Sequence, residues 1–123
     1  GGKTDVESQH VYFKPYRFKP ASRPVMLTEF GGYSYKPEGH VFNGKRTYGY
    51  RLFSRQEEYR RALETLYRED ILPAVPRGLC GAVYTQLSDV EDETNGLLSY
   101  DRRVVKADEA AMQAIAREMS GAL

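Results

Sequence analysis

Two continuous apolar runs of strand length and two helical stripes predict an α/β fold, in the order strand, strand, long loop, helix, strand, loop, helix. The first run, Val25-Met-Leu-Thr-Glu-Phe30, lies between Pro24 and Gly31-Gly32, and the second, Leu79 to Leu87, follows Gly78. Neither alternates, as expected of strands buried on both faces of a parallel sheet. The helical signal is Ser54-Arg55-Gln56-Glu57, a capping box, followed by Tyr59, Ala62, Leu63, Leu66 and Tyr67 at spacings of three and four.

The remaining elements follow in chain order. Asp5 to Phe13, with Val6, Gln9, Val11 and Phe13, reads as a strand that closes at Pro15. From Lys14 to Pro24 basic and aromatic residues alternate between Pro15, Pro20 and Pro24, the composition of an irregular connector. Gly31 to Phe53 has no sustained periodicity, so a long loop is predicted; its tyrosines and phenylalanines argue against disorder. Pro73 and Pro76 end the helix near Ile71. Gly81 and Ala82 give the strand after Gly78 room for a close neighbour. Asp108 can cap a last helix whose Ala111, Met112, Ile115 and Met119 share a face, with Gly121 past its end.

Composition narrows the function classes. The chain has 123 residues, enough for one domain and too few for two. Eighteen basic against 17 acidic residues leave a net charge of +1, which supplies no basic surplus for phosphate tracking, so nucleic acid is excluded as a partner. No stretch approaches the ~20 apolar residues of a membrane span, so no membrane partner is expected. Cys80 is the only cysteine, which excludes an intrachain disulfide and a cysteine-based zinc site, and is compatible with a cytoplasmic location. Any signal peptide is expected upstream of this chain.

Chemistry is expected at the C-terminal ends of parallel strands, where loops vary over a fixed sheet. Glu29 closes the first apolar run and the segment Tyr84 to Asp89 closes the second. A carboxylate ending an apolar strand must be hydrogen-bonded or exposed in a cleft to offset desolvation. The ordered motifs Pro24-Val-Met-Leu-Thr-Glu29-Phe-Gly-Gly32, Thr47-Tyr-Gly-Tyr50, Tyr84-Thr-Gln-Leu-Ser-Asp89-Val-Glu-Asp-Glu93 and Asn95-Gly-Leu-Leu-Ser-Tyr-Asp101-Arg102, with Lys106 after them, resemble the end of the catalytic barrel of glycoside hydrolase family 2. Beta-galactosidases and beta-glucuronidases belong to that family. The resemblance extends from about Asp5 to Lys106.

That resemblance implies one domain over residues 1–123, the C-terminal portion of a TIM (β/α)8 barrel with about strands 6 to 8 and helices 7 and 8. It implies that Glu29 is the nucleophile of a retaining β-glycosidase, attacking the anomeric carbon to form a glycosyl-enzyme intermediate while a second carboxylic acid protonates the leaving oxygen. Tyr12 matches the tyrosine that orients the nucleophile in relatives. The implied substrate-binding residues are His10, Tyr84, Gln86 and Tyr33, with Tyr84 standing where many relatives carry a tryptophan floor for the sugar. No cofactor or metal is implied. The family's general acid follows an asparagine, but Asn43 and Asn95 are both followed by glycine here. A whole barrel also needs ~200–250 residues. The chain therefore reads as a glycosidase fragment that holds the nucleophile and lacks the proton donor. Its expected partners are a β-glycoside, the rest of the parent barrel and, through unpaired strand edges and a face bearing Val25, Leu27, Ala82 and Val83, a second copy of itself.

Two other patterns carry less. Asp89, Glu91, Asp92, Glu93 and Asn95 alternate like a calcium loop, but Thr94 stands at the loop glycine and Tyr100 at the closing carboxylate, so the template fails. A solvated acidic loop with Asp89 pinning backbone amides is expected instead. The competing function is a non-catalytic carbohydrate-binding or interaction module that uses the Tyr-rich loop as a stacking surface.

Overall fold

The computed structural model describes residues 4–12, 14–45 and 51–122. The Thr47 to Tyr50 motif lies outside the described residues. Three of the predicted strands form a parallel sheet in the order β1 (Glu7–Tyr12), β2 (Val25–Gly31) and β5 (Leu79–Tyr84). β2 is central, as its continuous apolar run requires. Register shifts, one in the β1–β2 ladder and two in the β2–β5 ladder, let Val25, Leu27 and Phe30 share one face and pair with Leu79, Ala82 and Tyr84 of β5. Between β2 and β5 the chain forms a second, two-stranded parallel sheet from β3 (Tyr33–Tyr35) and β4 (Arg51–Phe53).

Helix α1 covers Gln56–Thr65 and starts later than the capping box predicts. Arg55, in extended conformation, is the cap residue, and no side chain caps the helix. The predicted stripe is correct: Tyr59 and Leu63 are fully buried. The helix widens into a π-helical turn over Leu66–Ile71 and tightens into a 3-10 helix over Leu72–Arg77, which Pro73 and Pro76 enter without breaking the path to Gly78. Asp108 caps α2 (Glu109–Ala122) as expected, its Oδ1 accepting from the Ala111 amide at 3.0 Å, but the helix continues through Gly121.

The expected barrel portion is not what the chain forms. The described residues make a small mixed domain of two α-helices and five short strands in two small parallel sheets. A barrel segment repeats strand and helix, whereas the described residues of the connector from β1 to β2 include no helix and the connector from β2 to β5 contains a sheet of its own. The expected bare apolar face is also corrected. Val25 and Leu27 are 2 % and 0 % exposed, packed under Phe30, Leu66, Ile71 and Ala74 with Tyr16 and Phe18 of the connector. Only Val83 of that group is exposed. A second cluster centres on Tyr59, Leu63 and Ala107, and Tyr33, Tyr67 and Tyr84 touch both.

Burial pushes the ionisation of Tyr16, Tyr33, Tyr59, Tyr67 and Tyr84 upward, Tyr67 to about 12. A phenol raised in the folded state stabilises the fold below its ordinary range and loses that contribution as pH rises through it. Alkaline titration followed by tyrosinate absorbance is therefore expected to show these buried tyrosines ionising only together with loss of near-ultraviolet circular dichroism. A single smooth transition of all the tyrosines in a still-folded chain would contradict the packing.

Candidate functional site

Glu29 sits on the face of the three-stranded sheet that the helices leave open. The alternation of β1 sends Gln9 and Val11 toward the packed side, and Ser8, His10 and Tyr12 to the other. His10 pairs with Glu29 across the parallel ladder, and its Nδ1 stands 3.4 Å from Glu29 Oε2. The carboxylate side chain is 37 % exposed and the imidazole 54 %. Water thus meets the desolvation demand that a carboxylate on an apolar strand creates. Tyr12 lies two residues beyond His10, its ring edge-on to the imidazole at 6.5 Å, and its backbone pairs with Gly31. Ser8 Oγ and Thr28 Oγ1 share a hydrogen bond at 2.5 Å on the same face.

Glu29, His10 and Tyr12 are therefore neighbours, and Tyr84 does not join them. Its ring lies edge-on to Phe30 at 5.6 Å on the packed side, and its hydroxyl is buried beside Tyr59 without a hydrogen bond of good geometry. Gly31, at φ 91°, is required there, because a Cβ would overlap the Tyr84 ring. Tyr84 shapes the backbone at the end of β2 from beneath, and offers no ring face to a ligand beside Glu29. Gln86 donates to Asn95 Oδ1 at 2.5 Å, in the loop after β5. Tyr33 lines a different groove of 640 Å³, with Arg51, Phe53, Glu58 and Arg61 between the small sheet and α1.

Asp89 is turned inward while Glu91 of the same loop is exposed, so the expected solvation fails at Asp89. Its Oδ1 accepts from the Gly96 amide at 2.9 Å, the pinning that was expected, and from Lys106 Nζ at 2.7 Å. The aspartate side chain is 2 % exposed and the lysine 0 %. Burial pushes Asp89 up and Lys106 down, and each opposes the other's shift by holding its partner charged. Lys106 also donates to Tyr35 O at 3.0 Å and Thr94 O at 2.9 Å. Gly96 admits no side chain here, since a Cβ would overlap the Ser88 and Asp89 backbone.

A second histidine-carboxylate pair escaped sequence reasoning. His40 Nδ1 lies 2.7 Å from Asp101 Oδ2, while Asp101 Oδ1 accepts from Ser99 Oγ at 2.5 Å. Hydrogen bonds from Ser99 and then His40 hold the Asp101 carboxyl well below the usual carboxylate range. Asp101 belongs to a quoted motif, but 61 positions separate it from His40, and no local pattern links them. Among the described residues, no cluster of three or more His, Cys, Asp or Glu side chains forms a metal-binding group. Comparison with protein-family models and with curated proteins gives no match to this chain.

Two outcomes follow from these charges. Replacing Lys106 with Met leaves Asp89 buried with only the Gly96 amide and is expected to cost about 3–5 kcal/mol, measured by urea denaturation. A loss below about 1 kcal/mol would show that the pair is not the buried, uncompensated charge argued here. Asp101 stabilises the fold above the ordinary aspartate range and loses that contribution as pH falls below about 4. Asp101→Asn should accordingly lower the melting temperature at pH 7, with the gap to the parent chain closing at acid pH; a gap independent of pH would assign the effect to shape and not charge.

Proposed function

We propose that this chain carries the nucleophile half of the active site of a retaining β-glycosidase, with Glu29 as the nucleophile. The observation that carries the reading is the Glu29 carboxylate at the end of the central parallel strand, open to solvent and 3.4 Å from His10 of the neighbouring strand. Its partly exposed position lets an oxygen reach an anomeric carbon, and the packed Phe30 next to it fixes the strand that presents it. Tyr12 beside His10 completes an edge suited to holding a carboxylate rotamer and sugar hydroxyls. In the reaction, a Glu29 oxygen bonds to the anomeric carbon as the bond to the leaving oxygen breaks, and an acid protonates that oxygen; water then cleaves the glycosyl ester. The acid belongs to residues outside this chain, whose asparagines Asn43 and Asn95 precede glycine.

The stacking-module reading is less well supported. Several of its described rings pack inward, Tyr33 on Phe53 at 5.6 Å and Tyr35 and Phe53 on Tyr59 at 6.2 and 6.4 Å, while Phe42, edge-on to Tyr100, is exposed. Tyr59 is fully buried.

A 2-fluoro β-glycosyl fluoride, which forms the ester faster than water removes it, tests the reading on the protein that contains this segment with its proton donor. One glycosyl unit is expected on the peptide bearing Glu29, and Glu29→Gln should reduce turnover of aryl β-glycosides by about a thousandfold or more with an unchanged melting temperature. Labelling elsewhere, or full turnover in that variant, would refute the assignment.

A further inference from the structure

The connector from β1 to β2 carries a cationic groove that the glycosidase reading does not use. Buried and exposed residues alternate along it: Tyr16 and Phe18 are inside, while Lys14, Arg17 and Lys19 are exposed. Tyr16 is fixed at both ends, its amide donating to Asp70 Oδ2 and its hydroxyl to Gln9 Oε1, each at 3.0 Å. The cations therefore stand on an anchored backbone. Together with Gln9, Pro15 and Tyr16 they line a groove of 590 Å³, within the range of small-molecule sites. Lys14, Arg17 and Lys19 make no ion pair or hydrogen bond with any described residue. Asp70, the carboxylate at the connector, is engaged by the Tyr16 amide and does not line the groove. Gln9 Oε1 is already occupied by Tyr16, which leaves its amide nitrogen to donate. The polar wall is thus dominated by donors, three of them charged, in a chain whose net charge is only +1.

We propose that this groove binds an anionic sugar, with Lys14, Arg17 and Lys19 on a carboxylate or phosphate, Gln9 on a hydroxyl and Pro15 against the ring. Arg17 supplies the planar fork that matches either oxyanion, and the lysines supply point charges. The anion chemistry stands on the groove alone; the sugar rests on the glycosidase reading. β1 separates the two sites. Gln9 and Val11 face the groove, while His10, with Tyr12 beside it, faces Glu29, so the groove is a second subsite and does not contain the reacting carbon.

Isothermal titration of the full 123-residue chain with a glucuronate disaccharide, glucose 6-phosphate, neutral cellobiose and inorganic phosphate tests this. An anionic sugar is expected to bind, more weakly as salt rises, with the preferred one of the two identifying carboxylate or phosphate as the natural charge. The triple variant K14Q/R17Q/K19Q should lose about tenfold or more in affinity, with an unchanged circular-dichroism melt, while K14R/K19R and E29Q retain binding. Equal binding of cellobiose, binding of inorganic phosphate alone, no binding of either anionic sugar, or an unaffected triple variant would overturn the proposal. Retained anionic-sugar binding with failed labelling of Glu29 removes the catalytic reading and keeps the groove; labelled Glu29 with no binding here does the reverse.

Discussion

The ammonium of Lys106 is the constraint around which the loops of this chain are arranged. Its three protons meet three acceptors, Asp89 Oδ1, Thr94 O and Tyr35 O, so the full donor capacity of the fully buried group is used. These acceptors come from β3, from both arms of the acidic loop and, through the lysine itself, from the segment leading into α2. Such a pair adds little net stability over an apolar replacement, because desolvation of both charges offsets their attraction. Its consequence is specificity: a misplaced loop would leave a buried ammonium short of an acceptor. Asp89 Oδ2 finds no hydrogen-bond partner among the described residues, so the acid is less completely satisfied than the base.

From that point order passes to the sheet through aromatic packing. Tyr59 lies under Lys106, with the ammonium 5.8 Å from the ring centre, and donates to Gly96 O at 3.2 Å. Tyr84 stands beside Tyr59 and against Phe30, and Thr85 continues the ladder by donating its amide and hydroxyl to Phe30 O at 3.0 and 2.5 Å. Phe30, thus held on both sides, fixes the residue before it, Glu29, to the open face. The buried pair and the exposed carboxylate are parts of one mechanical chain, although neither touches the other.

What was legible in the sequence was whatever a local pattern encodes. The apolar runs marked β2 and β5, and the spacing of Tyr59 and Leu63 marked the inward side of α1, because burial of a strand or helix is written within its own residues. β3 and β4, three residues each, are too short to carry a period, and the pairing between them spans a connector. The barrel expectation failed for a related reason. Counting strands and helices in order hides which connectors lack a helix, and the one between β1 and β2 is a proline-rich strap tied down by Tyr16 and Asp70. In the site, Glu29 was legible as a strand-end group, His10 entered only through the family resemblance, and a shift in the ladder aligned the two. Tyr84 was misplaced as a ligand surface since its face depends on that same shift. The partnership of His40 with Asp101 exists only in three dimensions.

The glycosidase reading also has a geometric consequence for the missing proton donor. The packed side of β2 is filled by Phe30 and Tyr84, and an acid approaching from there would have to displace the core. The open side presents His10 beside Glu29, and Val83 of β5 is exposed. A retaining mechanism sets the two carboxyls ~5–5.5 Å apart with the sugar between them. On that reading a donor approaches Glu29 over the open face, where its side chain is 37 % exposed.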